Sequence, residues 1–206
     1  MFILISVIWF LRYMKYHIRH ILCNIALVFI GERSMATTNK LNFFRFFFIS
    51  ILGVLLHFTY EWSNDNPAVG LFSAVNESTW EHLKLIFFPM LLLTMIEFLW
   101  AHIKDKPLPE HYLPARTVGI LSGMAFIVVG FYTLNGVLGR NYEFLNIALY
   151  FAGVMYALRA ENRLESKQMC INDYVAMTIL AILTVAFFAF TNYPPELGIF
   201  ADPTTN

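Results

Sequence analysis

Cysteine is nearly absent. Cys23 and Cys170 are the only two in 206 residues, too few and too far apart for a disulfide framework or a thiolate metal site. Charged residues are also scarce, at 14% of the chain, and the 14 basic and 14 acidic residues cancel to a formal net charge of zero. No basic arm or block is present, which argues against a nucleic-acid partner. The sequence has no Gly-rich phosphate loop, no serine nucleophile elbow, no paired Cys and His, and no internal repeat.

Apolar residues fill the space left by charge. They make up 58% of the chain and include 21 Phe, well above the roughly 45–50% of a soluble domain. Several runs approach the ~20 apolar residues that a bilayer-crossing helix requires. The expected class is therefore an all-α integral membrane helical bundle whose first partner is the lipid bilayer.

Residues 1–34 fit this pattern poorly. Met1 to Leu11 and Ile21 to Ile30 are each about half a span, and Arg12, Lys15 and Arg19 separate them. The positive charge follows the first apolar run, whereas in a signal peptide it precedes the run. Gly31-Glu32-Arg33-Ser34 can be encoded by a purine-rich ribosome-binding sequence just before Met35. The expectation is a native start at Met35, with 1–34 a leader and 35–206 a single transmembrane domain.

From Met35 the spans follow at regular intervals, at about 43–62, 80–102, 115–134, 142–158 and 172–191. Turn residues 63–67 and the linker Lys104 to Glu110 separate them, as do the Gly- and Asn-rich stretch from Asn135 and a charged loop from Arg159 to Lys167. Gly119, Ser122, Gly123, Ala125 and Gly130 give the third span a small side for close packing. Phe43, Phe44, Phe46, Phe47 and Phe48 read as lipid-facing surface, and Trp62, Trp80 and Trp100 as interfacial aromatics. Asn135, Asn141 and Asn146 read as turn formers.

Lys40, Arg45, Lys104, Lys106, Arg116, Arg159, Arg163 and Lys167 fall on one side of these spans, and Lys84 and Arg140 on the other. The positive-inside rule then puts the amino end inside and the carboxyl end outside.

One stretch is densely polar: Asn76-Glu77-Ser78-Thr79-Trp80-Glu81-His82-Leu83-Lys84, which runs directly into the second span. Ser78 and Glu81 have the spacing of a capping box, with Glu81 reaching back to the helix start. Pro89 falls inside the helix that follows, where a membrane helix tolerates it. His57 and Glu61 are four residues apart and share a face at the outward end of the first span, opposite this stretch. Two His and three Glu at one membrane boundary suit a zinc-like divalent ion. His57, Glu61 and His82 are the expected metal ligands, and Glu77 or Glu81 the catalytic carboxylate for hydrolysis. Lys84, Arg140 and Glu196 are further candidates to join the cluster. The structural alternative is a polar network that starts the helix and offsets its dipole. Glu97, alone in the second span, is either a bundle-facing carboxyl or an intramembrane proton relay.

The polar stretch, preceded by His57-Phe58-Thr59-Tyr60-Glu61-Trp62 and followed at the far end by Pro194-Pro195 and Ile199-Phe200-Ala201-Asp202-Pro203, resembles an uncharacterised family of small multi-pass membrane proteins of Gram-positive, mainly clostridial, bacteria. The likeness runs from about Leu41 onward and centres on an N-E-S-x-W-E-H-x-K-L core. It implies a multi-pass protein of the bacterial inner cell membrane but no reaction. In such a family a His would follow the two prolines; here Glu196 stands there. Three functional readings follow: an outward-facing metal-dependent hydrolase, a small transporter or ion-binding permease, and a non-catalytic accessory protein that packs against a membrane partner or a second copy of itself.

Overall fold

A computed structural model describes residues 39–165 and 171–203. The expectations for the leader and for Met35 lie outside these residues. All regular structure among the described residues is helical: α1 (Asn39–Trp62), the short α2 (Pro67–Gly70), α3 (Thr79–Ile103), α4 (Tyr112–Leu138), α5 (Glu143–Leu164), α6 (Asp173–Asn192) and a final 3-10 turn at Gly198–Phe200.

Local chemistry sets the helix ends. Ser78 caps α3 by accepting from the Glu81 backbone N–H at 3.3 Å, and Asn172 caps α6 by accepting from Val175 N–H at 3.0 Å, each satisfying a donor that the first turn leaves free. Gly139 ends α4 in the left-handed region at φ 70°, its N–H returning to the Asn135 carbonyl, as helices commonly end at glycine. α4 begins at Tyr112, before the expected Ala115. Pro114 then falls in its first turn, where the missing N–H costs nothing.

Four helices, α1, α3, α4 and α6, are long and apolar enough to cross a membrane. The expected fourth span is a helix as well, but it is not among these four. α5 continues through Arg159, Glu161, Asn162 and Arg163 to Leu164, residues expected to form a charged loop. Packing against α4 accounts for its place in the bundle. A Cβ on Gly119 would meet the Ala157 carbonyl at 2.9 Å, and one on Gly123 would meet the Ala157 Cβ at 2.8 Å, so the two backbones approach as closely as small residues allow. The core runs along α3, α4 and α5 through Ile86, Phe87, Met90, Ala115, Ile120, Val154 and Ala157, all fully enclosed. Phe43, Phe44 and Phe47 are exposed, as are Trp62 and Trp100. Trp80 differs from the interfacial expectation: it packs within an aromatic cluster of Phe187, Phe190 and Phe200.

Candidate functional site

The polar stretch before α3 divides into a buried structural half and a more open half. Buried Glu81 accepts from the Val75 backbone N–H at 3.0 Å and from Lys84 Nζ at 2.5 Å. Thr191 on α6 donates to its other oxygen at 3.3 Å. Lys84, with its side chain fully enclosed, also donates to the Gly70 and Ser73 carbonyls at 2.8 and 3.1 Å. Together they pin the α2–α3 connection to the first turn of α3. The capping box is therefore half formed. Ser78 caps the helix, but Glu81 turns to Val75, and the Ser78 N–H donates to Asn76 Oδ1 at 3.0 Å. Lys84 is an internal ion-pair partner, which leaves Arg140 as the exposed basic residue on its side of the spans.

Glu77 and His82 lie in the open half and meet His57 of α1. His82 Nε2 is 3.4 Å from one Glu77 carboxylate oxygen, and His57 Nε2 is 3.9 Å from the other. The imidazole centroids are 5.3 Å apart. One ligand atom from each of the three residues lies within 4.8 Å of the others. His82 Nδ1 is 2.9 Å from the Ser78 carbonyl oxygen. A carbonyl only accepts, so Nδ1 carries the proton, and Nε2 points a lone pair or a second proton toward Glu77. A neutral His82 would thus set two acceptors against each other, an arrangement relieved by a cation between them, either a proton or a metal ion. The hydrogen bond from His82 holds the Glu77 carboxyl below its ordinary pKa, ahead of an opposing burial effect, so Glu77 is ionised at neutral pH.

The group could hold a metal ion. Atoms about 2.1 Å from a tetrahedral ion lie about 3.4 Å apart, which the His82–Glu77 separation matches; the set of three ligand atoms, within 4.8 Å of one another, would draw in on an ion. The fixed His82 tautomer, with its second nitrogen held by a backbone carbonyl, is a usual outer-shell arrangement around zinc.

The other predicted residues lie apart from this trio. Glu61 is exposed, one turn beyond His57, and Glu196 is exposed on the carboxyl tail. Neither belongs to the metal-capable group. The tail residue that reaches the site is Asp202, whose Oδ2 accepts from the Glu77 backbone N–H at 3.3 Å.

Glu97 belongs to a second polar centre at the opposite end of α3. It accepts from Arg45 Nε of α1 at 2.7 Å and from Arg116 Nη2 of α4 at 2.6 Å. Arg116 Nε lies 2.8 Å from the second acid, Glu161 of α5, and Arg45 Nη1 lies 3.4 Å from it. Tyr112 donates to Glu97 at 2.5 Å, and Arg116 donates to Thr94 Oγ1 at 3.2 Å. Two cations alternate with two anions across four helices. Arg45 and Arg116, which the sequence counts as flanking basic residues, are bundle interior. Removing them from the orientation count, along with Lys84, leaves the remaining basic residues just as one-sided. Fully enclosed Ile86, Phe87 and Met90 lie along α3 between Glu97 and the His57 end. At the rim of this centre, burial raises the Glu165 carboxyl above its ordinary pKa, with Glu161 adding to the effect. Arg45, Glu97 and Arg116 are each nearly isolated charges in apolar surroundings, a signal that sequence reading can use, whereas Glu161 lies within the charged run 159–165 and carries no such signal.

Among the described residues these features define an all-α arrangement with four membrane-length apolar helices, an internal four-charge lock and a three-residue His/Glu group able to hold a metal ion. The chain belongs to the family of unknown function DUF6512, whose model matches residues 30–206. Comparison with curated proteins and with solved structures finds no match.

Proposed function

We propose that this chain is a single-domain, multi-pass protein of the bacterial cell membrane that holds a zinc-like divalent ion at its outward end and uses it for hydrolysis. The observation that carries this reading is the convergence of His57, His82 and Glu77, which offer one ligand atom each within 4.8 Å of the others, with His82 Nε2 3.4 Å from one Glu77 oxygen and His57 Nε2 3.9 Å from the other. In this reading α5 crosses the membrane with the other four helices, shielded by its packing on α4, and basic residues at the Glu97 end face the cytoplasm.

His57, His82 and Glu77 would be the residues that hold the ion, and a zinc-like ion there would supply Lewis-acid chemistry for hydrolysis. The chain's own residues divide the remaining work. Ser78 fixes the His82 tautomer through Nδ1, and Glu77 supplies the negative charge. Glu81 is committed to Lys84, Val75 and Thr191, so it has no part in the open half of the stretch. Phe58 and Trp62, stacked on the same helix end with centroids 5.8 Å apart and both exposed, offer an apolar approach from the membrane plane.

Elemental analysis of protein purified in detergent without chelator tests the reading. About one zinc per chain is expected for the wild type, with almost none after combined His57→Ala and His82→Ala substitution. A wild type that retains no divalent metal after saturation and desalting overturns it.

A further inference from the structure

The carboxyl tail returns to the metal-capable group and is held there at two points. After α6 ends at Asn192 the chain turns through Pro194 and Pro195 into the 3-10 turn Gly198–Phe200. Phe200 packs on Trp80 of α3 and on Phe190 of α6, at centroid distances of 5.0 and 5.4 Å. Two residues on, Asp202 Oδ2 accepts from the Glu77 backbone N–H at 3.3 Å.

Glu77 lies outside the helix, so no helical hydrogen bond fixes its backbone. Its neighbours are fixed by other groups: Ser78 N–H by the Asn76 side chain, and the Ser78 side chain by the Glu81 N–H. The Glu77 N–H is secured from outside the stretch, by a residue 125 positions later in the chain.

We infer that Asp202 is a positioning residue for the metal site: the tail, anchored by Phe200 on Trp80, clamps the Glu77 backbone and aims its carboxylate at His57 and His82. This rests on the metal-binding reading above. It gives the family's tail segment a role in assembling the site without making it a ligand. Outer-shell partners of this kind typically carry ten- to a hundredfold in metal affinity.

The test is zinc titration of the full chain in detergent, with cobalt(II) as a spectroscopic substitute. Asp202→Ala is expected to weaken zinc binding about ten- to a hundredfold and to alter the cobalt ligand-field bands. Asp202→Asn keeps an acceptor oxygen and is expected to restore most of both. Unfolding is followed with and without zinc, because a merely structural tail contact would lower both melting temperatures equally, whereas a positioning role reduces the increment that zinc adds. Wild-type affinity and an unchanged cobalt spectrum in Asp202→Ala overturn this inference alone, as does an equal drop in both melting temperatures. Failure of the wild type to bind zinc or cobalt overturns the metal reading and this inference with it.

Discussion

Arg116 Nε of α4 lies 2.8 Å from Glu161 Oε2 of α5, and both side chains are fully enclosed. Arg45 and Glu97 complete the alternation of charge, so one polar centre ties α1, α3, α4 and α5 together. Removing one member strands a buried charge, at a cost of about 3–5 kcal/mol. Arg116→Ala or Glu161→Ala should therefore lower unfolding stability in detergent by that order, and the double variant should lose less than the sum of the two. Chemical unfolding of the four proteins in a double-mutant cycle measures this.

Glu77 and Glu81 are four residues apart but behave differently. Glu81 is buried against Lys84, and Glu81→Gln should destabilise the fold by about 3–5 kcal/mol because Lys84 is left without its counter-charge. The Glu77 side chain is 47% exposed. Glu77→Gln should change metal-free stability by at most about 1 kcal/mol while removing most zinc affinity. Paired thermal unfolding and zinc titration of the two variants separate these roles.

Glu165 supplies a pH dependence with a definite sign. Burial and Glu161 raise its folded-state pKa, so the folded chain binds this proton more tightly than the unfolded chain. The carboxyl then costs stability as pH rises from the unfolded pKa, about 4.3, through the folded value, and costs nothing below both. Glu165→Gln should be more stable than wild type at neutral pH, with the difference vanishing in acid. Unfolding midpoints across that range provide the measurement.

The proposed orientation places the loop between α3 and α4 inside and the turn between α4 and α5 outside. With Cys23 and Cys170 replaced by Ser, a cysteine at Asn141 should react with a membrane-impermeant thiol reagent on intact cells. A cysteine at Lys106 should react only after permeabilisation.

Much of the helical pattern was legible because span length and apolar composition are local properties. The turn at Asn64 and Asp65, the α3 start at Ser78 and the small-residue side of α4 can all be read from neighbouring residues. Legibility failed where an ionisable residue finds its partner on another helix: Arg45 and Arg116 look like flanking charge until Glu97 and Glu161 are placed beside them. Lys84 pairs with Glu81 one turn back on α3, but its burial depends on the α2–α3 connection folding over it. Glu161 likewise reads as loop because the cost of burying it is offset by two arginines, one of them 116 positions away. At the His57 end, the sequence presents five His and Glu residues at one boundary, read as His57, Glu61 and His82 for ligands and Glu77 or Glu81 for the catalytic carboxylate. Side-chain direction sorts them differently: Glu81 turns inward to Lys84, Glu61 is exposed, and Glu77 faces the two imidazoles. Asp202 carried no local signal, because its contact with Glu77 depends on the tail folding back over α3.

The central claim is that His57, Glu77 and His82 share one metal ion. X-ray absorption at the zinc edge of the zinc-loaded chain tests it most directly. The account predicts two imidazole nitrogens at about 2.0–2.1 Å and carboxylate oxygen at about 2.0–2.2 Å, with one imidazole lost in His57→Ala and the other in His82→Ala. Zinc bound with no imidazole in its first shell, or an imidazole count unchanged by either substitution, would contradict it.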